Sequence, residues 1–347
     1  MQQISLAQSQ QLVSHVTMRL NETTMLWGMP GVGKSDGIWQ VAAQHNAMLV
    51  DIRLSQYDSV DLRGFPGVDH QTGQTVWHPP STLPFVGNEA FPDDRPILLF
   101  FDEINAASPA VAAVTYQIIN DRRCGEHVLK ENVRIVCAGN RETDRGVTNR
   151  MPLPLANRMT HVEIMLHPDN WCLWAQEAGL PIEGVAFMQF RPALLSTFDP
   201  SKPDKAFATP RTWEKALKYY ADEEMPADIK QAAMAGAIGD GPAAEFWGFV
   251  DVWQKMIPFS EIMKDPKKAR LPEKNDLSMH YAVAVNISGR MDTENADACH
   301  TYLCRMEPEF LTTAWTLASR RDNTVMRTDA FLDYSKRIKS VTMPGKR

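Results

Sequence analysis

The amino-acid sequence predicts an α/β core built on a five-stranded, mostly parallel sheet, followed by an α-helical region. Three observations predict it. Short apolar runs of strand type recur at residues 24–27, 47–51, 96–101, 133–138 and 161–166, with helical stretches between them. The run at 96–101, Pro-Ile-Leu-Leu-Phe-Phe, is apolar throughout, as a strand covered on both faces of a parallel sheet requires. Beyond His167-Pro168 the strand signals give way to helical patterns separated by Pro and Gly breakers.

In order along the chain, residues 5–20 place Leu6, Leu12, Val13, Val16 and Leu20 at helix-compatible spacing ahead of the first strand. After that strand comes Gly-Met-Pro-Gly-Val-Gly-Lys-Ser, residues 28–35, which fits G-x-x-x-x-G-K-[ST]. The chemistry explains the spacing. Gly31 and Gly33 let successive backbone N–H groups converge on phosphate oxygens. Gly28, Met29, Pro30, Gly31, Val32, Gly33, Lys34, Ser35 and Asp36 are the expected lining of a site for ATP. Lys34 is expected to reach the β- and γ-phosphates and Ser35 to ligand Mg²⁺. The helix expected over residues 38–47 turns its positive end towards the same anion.

The stretch 53–85 mixes Gly and Pro turn signals with apolar residues and predicts a small projecting hairpin. The strand at 96–101 ends in Asp102-Glu103, a carboxylate pair at the carboxyl end of a parallel strand, where α/β sheets bind ligand. Asp102 suits the outer shell of Mg²⁺, and Glu103 suits a base that polarises the attacking water. A helix is expected over 109–120, with Pro109 in its first turn, and a second hairpin over 124–132. Asn140 follows the strand at 133–138, where its amide can orient water or cap a turn. Arg141, Arg145, Arg150 and Arg158 follow closely. In the helical region, patterns fall at 171–178, 213–222, 227–238, 243–256, 276–288, 297–306, 309–319 and 329–339, and the basic tail at 337–347 is expected to be a frayed end.

The bulk properties narrow the function. A chain of 347 residues with a formal net charge of −6 disfavours a nucleic-acid footprint over the whole surface, though a local basic groove remains open. Five scattered cysteines without a C-x-x-C pair read as reduced thiols of a cytoplasmic protein. Cys299, His300 and Cys304 resemble a metal cluster only faintly, for want of a second ligand pair. The Gln-rich N-terminus does not have the form of a signal peptide, and no segment is apolar for the roughly 20 residues of a membrane span.

Taken together, these residues resemble an AAA+ ATPase, and within that class the MoxR group. The resemblance covers residues from about 5 to 217. It implies that residues 28–35 are Walker A, residues 97–103 Walker B with its D-E pair, and Asn140 sensor 1. Arg158, in Leu-Ala-Asn-Arg, matches the arginine finger supplied to a neighbouring subunit, with Arg150 as the alternative, and Arg211 in Ala-Thr-Pro-Arg-Thr-Trp matches sensor 2. Implied domains are a core at 1–167, with a helix-2 insert at 53–85 and a pre-sensor-1 hairpin at 124–132, a lid at 168–290 and an extension at 291–347. The resemblance further implies a homo-oligomeric ring, most often a hexamer, that remodels a partner, commonly one with a von Willebrand factor A domain.

Two other classes compete. One is a nucleic-acid-linked motor or loader, including one that uses GTP; the acidic balance and the lack of a DNA-binding module oppose it. The other is a nucleotide-gated interaction protein with little hydrolysis, which Glu103 opposes.

Overall fold

A six-stranded, wholly parallel sheet organises the N-terminal half of the computed structural model. The structure describes all residues except 142–143, 145–150, 152, 203 and 343–347, with the side chains of 154 and 339–342 also left aside. The chain divides into two units, Met1–Leu166 with Asp199–Pro203, and His167–Phe198 with Asp204–Arg347.

In the first unit the strands are β1 (Gln2–Ile4), β2 (Thr24–Trp27), β3 (Met48–Arg53), β4 (Phe65–Val68), β5 (Thr75–His78), β6 (Ile97–Asp102), β7 (Arg123–Cys124), β8 (His127–Val128), β9 (Val133–Gly139) and β10 (Thr160–Ile164). The sheet runs β1-β10-β2-β9-β6-β3. The five expected strands are all in it. β1 is a sixth: three residues of Gln-Gln-Ile, with too little pattern to announce themselves, pair in parallel with Val162–Ile164 at the sheet edge. β6 is buried along its whole length. Its residues alternate between two cores, as a period of two demands. Ile97, Leu99 and Phe101 join Met25, Ile135 and Cys137 on one face, and Leu98 and Phe100 join Leu26, Val136 and Ile38 on the other.

The helices of this unit are α1 (Leu6–Leu12), α2 (Lys34–Gln44), α3 (Ser59–Arg63), α4 (Pro109–Asp121) and α5 (Leu153–Ala156). The helix expected over 5–20 begins with a capping box on Ser5 but passes into a π-helical segment at Val13–Arg19. α2 starts at Lys34, four residues before the apolar spacing suggests, because Gly33 ends the phosphate loop with φ of +93° and serves as the N-cap. It buries Ile38, Val41 and Ala42 on one stripe. Both expected hairpins form, β4 with β5 and β7 with β8, each antiparallel. Arg63 lies over the Trp77 ring at 4.5 Å and ties α3 to the first hairpin.

The second unit contains α6 (Pro168–Glu177), α7 (Ile182–Phe190), α8 (Pro210–Ala221), α9 (Ala227–Ile238), α10 (Asp240–Gln254), α11 (Phe259–Lys264), α12 (Leu277–Arg290), α13 (Ala296–Leu303), α14 (Pro308–Arg321) and α15 (Asp329–Thr342). α7 and α11 were not expected from the sequence. α7 buries five consecutive residues, Gly184–Met188 in number order, so it lacks the one-sided stripe that marks a surface helix. Phe187 is the hub of an aromatic cluster with Trp213 and Phe246 at 5.6 and 5.5 Å. A separate core gathers Tyr302, Phe310 and Trp315. α15 continues to Thr342, past the expected end at 339. Among the described residues, no helix is long and apolar enough to cross a membrane.

Candidate functional site

The phosphate-loop residues lie between the end of β2 and the start of α2. Gly31 and Gly33 both have positive φ, +76° and +93°, so the turn is one that side chains other than hydrogen resist. The Lys34 ammonium is buried, and it donates to the Gly28 carbonyl at 2.7 Å, the Met29 carbonyl at 3.1 Å and Asn140 Oδ1 at 3.2 Å. One cation thus joins the loop to the residue at the tip of β9.

The second junction is between loop and carboxylate. Ser35 Oγ donates to Asp102 Oδ2 at 3.0 Å, and Asp102 is itself buried. A hydroxyl and a carboxylate at that separation form a hard, all-oxygen donor pair, which fits Mg²⁺. Asp51, on the neighbouring strand β3, carries a carboxyl pushed up by burial and then by the Asp102 carboxylate, against the lowering by Arg53 and a hydrogen bond from Trp39. The Asp51 carboxyl therefore senses Asp102, and Arg53, at the end of β3 and in register with Asp102, offsets part of that effect.

Glu103 follows directly. It adopts the left-handed conformation, φ +55° and ψ +36°, and its N–H donates to Asp102 Oδ1 at 2.8 Å. Its side-chain carboxylate accepts a hydrogen bond from the Ser55 hydroxyl. Two residues later, Asn105 clamps Asn140 by its backbone: Asn105 Nδ2 donates to the Asn140 carbonyl at 2.7 Å, and the Asn140 N–H donates to Asn105 Oδ1 at 3.3 Å. The same approach explains Gly139, where a Cβ would lie 2.7 Å from Asn105 Oδ1.

Two hydrogen-bonded pairs, Lys34 with Asn140 and Ser35 with Asp102, thus meet at consecutive residues of the chain, and Glu103 adjoins Asp102. Asp36, in the first turn of α2, is exposed. Arg158 follows α5, and its backbone N–H closes the turn onto the Leu155 carbonyl at 2.9 Å while the residue is exposed. Arg145 and Arg150, the latter the alternative finger, lie outside the described residues. Arg141 is engaged within the chain: its guanidinium meets buried Asp144 at 2.9 Å and Glu163 at 3.4 Å, and the Asp144 contact raises its pKa. Arg211 belongs to the second unit, exposed in the first turn of α8, which Thr209 caps. Sequence reasoning missed Ser55, Asp51 and Asn105. Their partners within the site, Glu103, Asp102 and Asn140, are 35 to 51 residues away in the chain, and no local pattern marks them.

The faint metal cluster resolves differently from its sequence grouping. His300, Cys304 and Asp333 come together, with His300 Nε2 2.9 Å from Asp333 Oδ2, while Cys299 turns to Asn295. Trp315 Nε1–H donates to His300 Nδ1 at 3.1 Å. An indole nitrogen can only donate, so Nε2 carries the imidazole proton and points it at Asp333, and no lone pair faces a metal. All five cysteines are free thiols.

Residues 23–159 match the family model described as AAA domain (dynein-related subfamily). The match contains Gly28, Lys34, Ser35, Asp102, Glu103, Asn140 and Arg158, and stops short of Arg211. Among solved structures, NtrX from Brucella abortus is similar at 14% identity and a TM-score of 0.39, over 73% of this chain and 62% of that one. Its complex with ADP matches at 14% identity and 0.42, over 97% and 68%. A Cytophaga hutchinsonii protein assigned provisionally as an ATPase matches at 10% and 0.35, over 90% and 79%. The chain spans less than two thirds of the first of these, and likenesses this distant bear on neither activity nor partner. No curated protein matches the chain.

Proposed function

We propose that this chain is an ATP-hydrolysing AAA+ subunit of MoxR type, working in the cytoplasm in a ring, expected to be a hexamer, that remodels or activates a partner protein. A partner with a von Willebrand factor A domain is the expectation, on family resemblance alone. The observation that carries the ATPase reading is the junction of Lys34, Ser35, Asp102 and Asn140 beside Glu103. Lys34 exchanges its present acceptors for oxygens of the β- and γ-phosphates. Glu103 takes a proton from the attacking water, and Asn140, held by Asn105, orients it. Ser35 and Asp102 would hold Mg²⁺, which supplies neutralisation of phosphate charge when bound. Arg158, exposed on its turn, completes the site of a neighbouring subunit, so hydrolysis depends on assembly. Arg211 is the sensor-2 residue. In this reading residues 168–290 are the lid and 291–347 a family-specific extension.

The test is the solution mass of Glu103→Gln with Mg²⁺, with and without ATP. Growth from a small species to a ring on ATP addition supports the reading. A variant that binds ATP and stays monomeric sinks the ring and the trans role of Arg158 together.

A further inference from the structure

Arg158 sits on a short turn whose key acceptor is the Ala156 carbonyl. That oxygen takes the Met159 N–H at 3.3 Å and, from outside the turn, lies 2.8 Å from His161 Nε2. The other imidazole nitrogen, Nδ1, faces the indole nitrogen of Trp27 at 2.9 Å, and the two ring planes are nearly parallel, 13° apart, with centroids separated by 6.0 Å. Indole N–H donates and cannot accept. His161 Nδ1 is therefore the acceptor, the proton is on Nε2, and Nε2–H donates to Ala156. Trp27 is the last residue of β2, next to Gly28 of the phosphate loop, and the flanking side chains of Leu155 and Met159 are buried.

We propose that His161 is a positioning residue for Arg158, holding the turn that presents it, with Trp27 setting the tautomer that this requires. The inference rests on the reading of Arg158 as a residue given to the neighbouring subunit. It has a consequence that plain core packing lacks. Trp27 adjoins the subunit's own phosphate loop, while Arg158 serves the next site, so one imidazole links the two. A defect at His161 should then appear in the neighbour's site and leave its own subunit's nucleotide affinity alone.

The experiment uses the full chain in steady-state ATP hydrolysis, with ATP affinity measured separately. His161→Phe keeps a flat ring and loses both hydrogen bonds; kcat is expected to fall about 3- to 10-fold, the range set by one neutral hydrogen bond, with KM and ATP affinity unchanged. Mixing His161→Phe with Lys34→Ala should restore turnover, because the Lys34→Ala subunits supply a well-placed Arg158. His161→Gln, which keeps an amide N–H for Ala156, should retain most of the activity, and Trp27→Phe should show a milder form of the His161→Phe defect. Weakened ATP affinity without restoration in the mixture would overturn the proposal, since His161 would then support its own loop. So would unchanged turnover in His161→Phe. Should His161→Phe fail to fold, Trp27→Phe and His161→Gln decide the matter in the same mixtures. Arg158→Ala runs alongside: if it keeps full turnover, the trans-finger reading itself has failed; if it is inactive while His161→Phe is normal, only the role of His161 is lost.

Discussion

Replacing Lys34 by Ala removes the one ammonium that bridges the loop and Asn140. It donates to the Gly28 and Met29 carbonyls and to Asn140 Oδ1, at 2.7, 3.1 and 3.2 Å. In the proposed function, nucleotide binding would redirect these donors from neutral carbonyl and amide oxygens to charged phosphate oxygens. Hydrogen bonds to charged groups contribute about 1.5–3 kcal/mol each, and part of that is already present with the carbonyls. Two redirected donors therefore leave a net loss of about 3 kcal/mol, roughly a hundredfold in Kd. Thermal unfolding with and without Mg²⁺-ATP reads this directly. At a concentration of about 100 times Kd, ligand stabilises the wild type by about 2.7 kcal/mol, and a hundredfold weaker variant at the same concentration keeps only about 0.4 kcal/mol. For a unit of this size the nucleotide-induced rise in Tm should shrink from about 5–10 °C to about 1 °C. An undiminished rise in Lys34→Ala would refute the assignment of Lys34 to the phosphates.

Glu103→Gln should bind ATP as the wild type does and release phosphate about 10²- to 10⁴-fold more slowly, the usual weight of a general base; normal release would take Glu103 out of that role. Arg158→Ala should lose about 10³-fold or more in turnover with binding kept, and mixing it with Lys34→Ala should restore part of the activity; a mixture as inactive as its components would argue against action in trans. Glu103→Gly should abolish turnover yet leave the unfolding midpoint in denaturant close to that of the wild type; a loss of more than about 2 kcal/mol, well above a single-residue glycine effect, would show that the left-handed backbone at Glu103 stores no strain. Burial pushes the thiols of Cys172 and Cys299 up to about 12, raises Cys137 further, and raises Cys124 and Cys304 as well, so exposure and not pKa separates them. Alkylation of the folded chain near pH 8, followed by mass mapping, should therefore find Cys304, the half-buried one, modified ahead of the other four.

What could be read from the sequence was local. A strand such as β6 declares itself by composition, and the phosphate loop by spacing, because in both cases neighbours in the chain do the work. β1 could not be read, since three residues acquire meaning only by pairing with β10. α7 hid for the opposite reason: buried all round, it has no polar face to set its period. In the candidate site, Lys34, Ser35, Asp102 and Asn140 carry motif signatures, whereas Ser55 and Asn105 act on Glu103 and Asn140 through tertiary contacts. The arginine-dense segment illustrates the limit most clearly. Four guanidiniums look alike in sequence, yet Arg141 is engaged by Asp144, three residues on, and by Glu163 of β10, while Arg158 is exposed.

The backbone at Glu103 bears on why this carboxylate, among the acids at the sheet's end, is read as the base. Asn21, Asn46, Glu103 and Arg122 are the described non-glycine residues with positive φ. Asparagine tolerates that region through its own short polar side chain, and Arg122 ends α4, where a left-handed residue closes the helix. Glu103 has neither excuse, and the conformation costs about 1–2 kcal/mol. Around it the turn is over-determined: its N–H is held by Asp102, its carbonyl by the Ala106 N–H at 2.8 Å, and its carboxylate by Ser55. Those bonds offset the strain, and the same strain turns the side chain away from the direction a continued strand would impose. Glycine would relieve the strain and give back a similar amount in chain entropy and the lost Ser55 contact, so folding has little stake in a glutamate at 103. If Glu103→Gly leaves stability unchanged, a strained residue placed directly after buried Asp102, which meets Ser35, is explained by the direction in which its carboxylate must point.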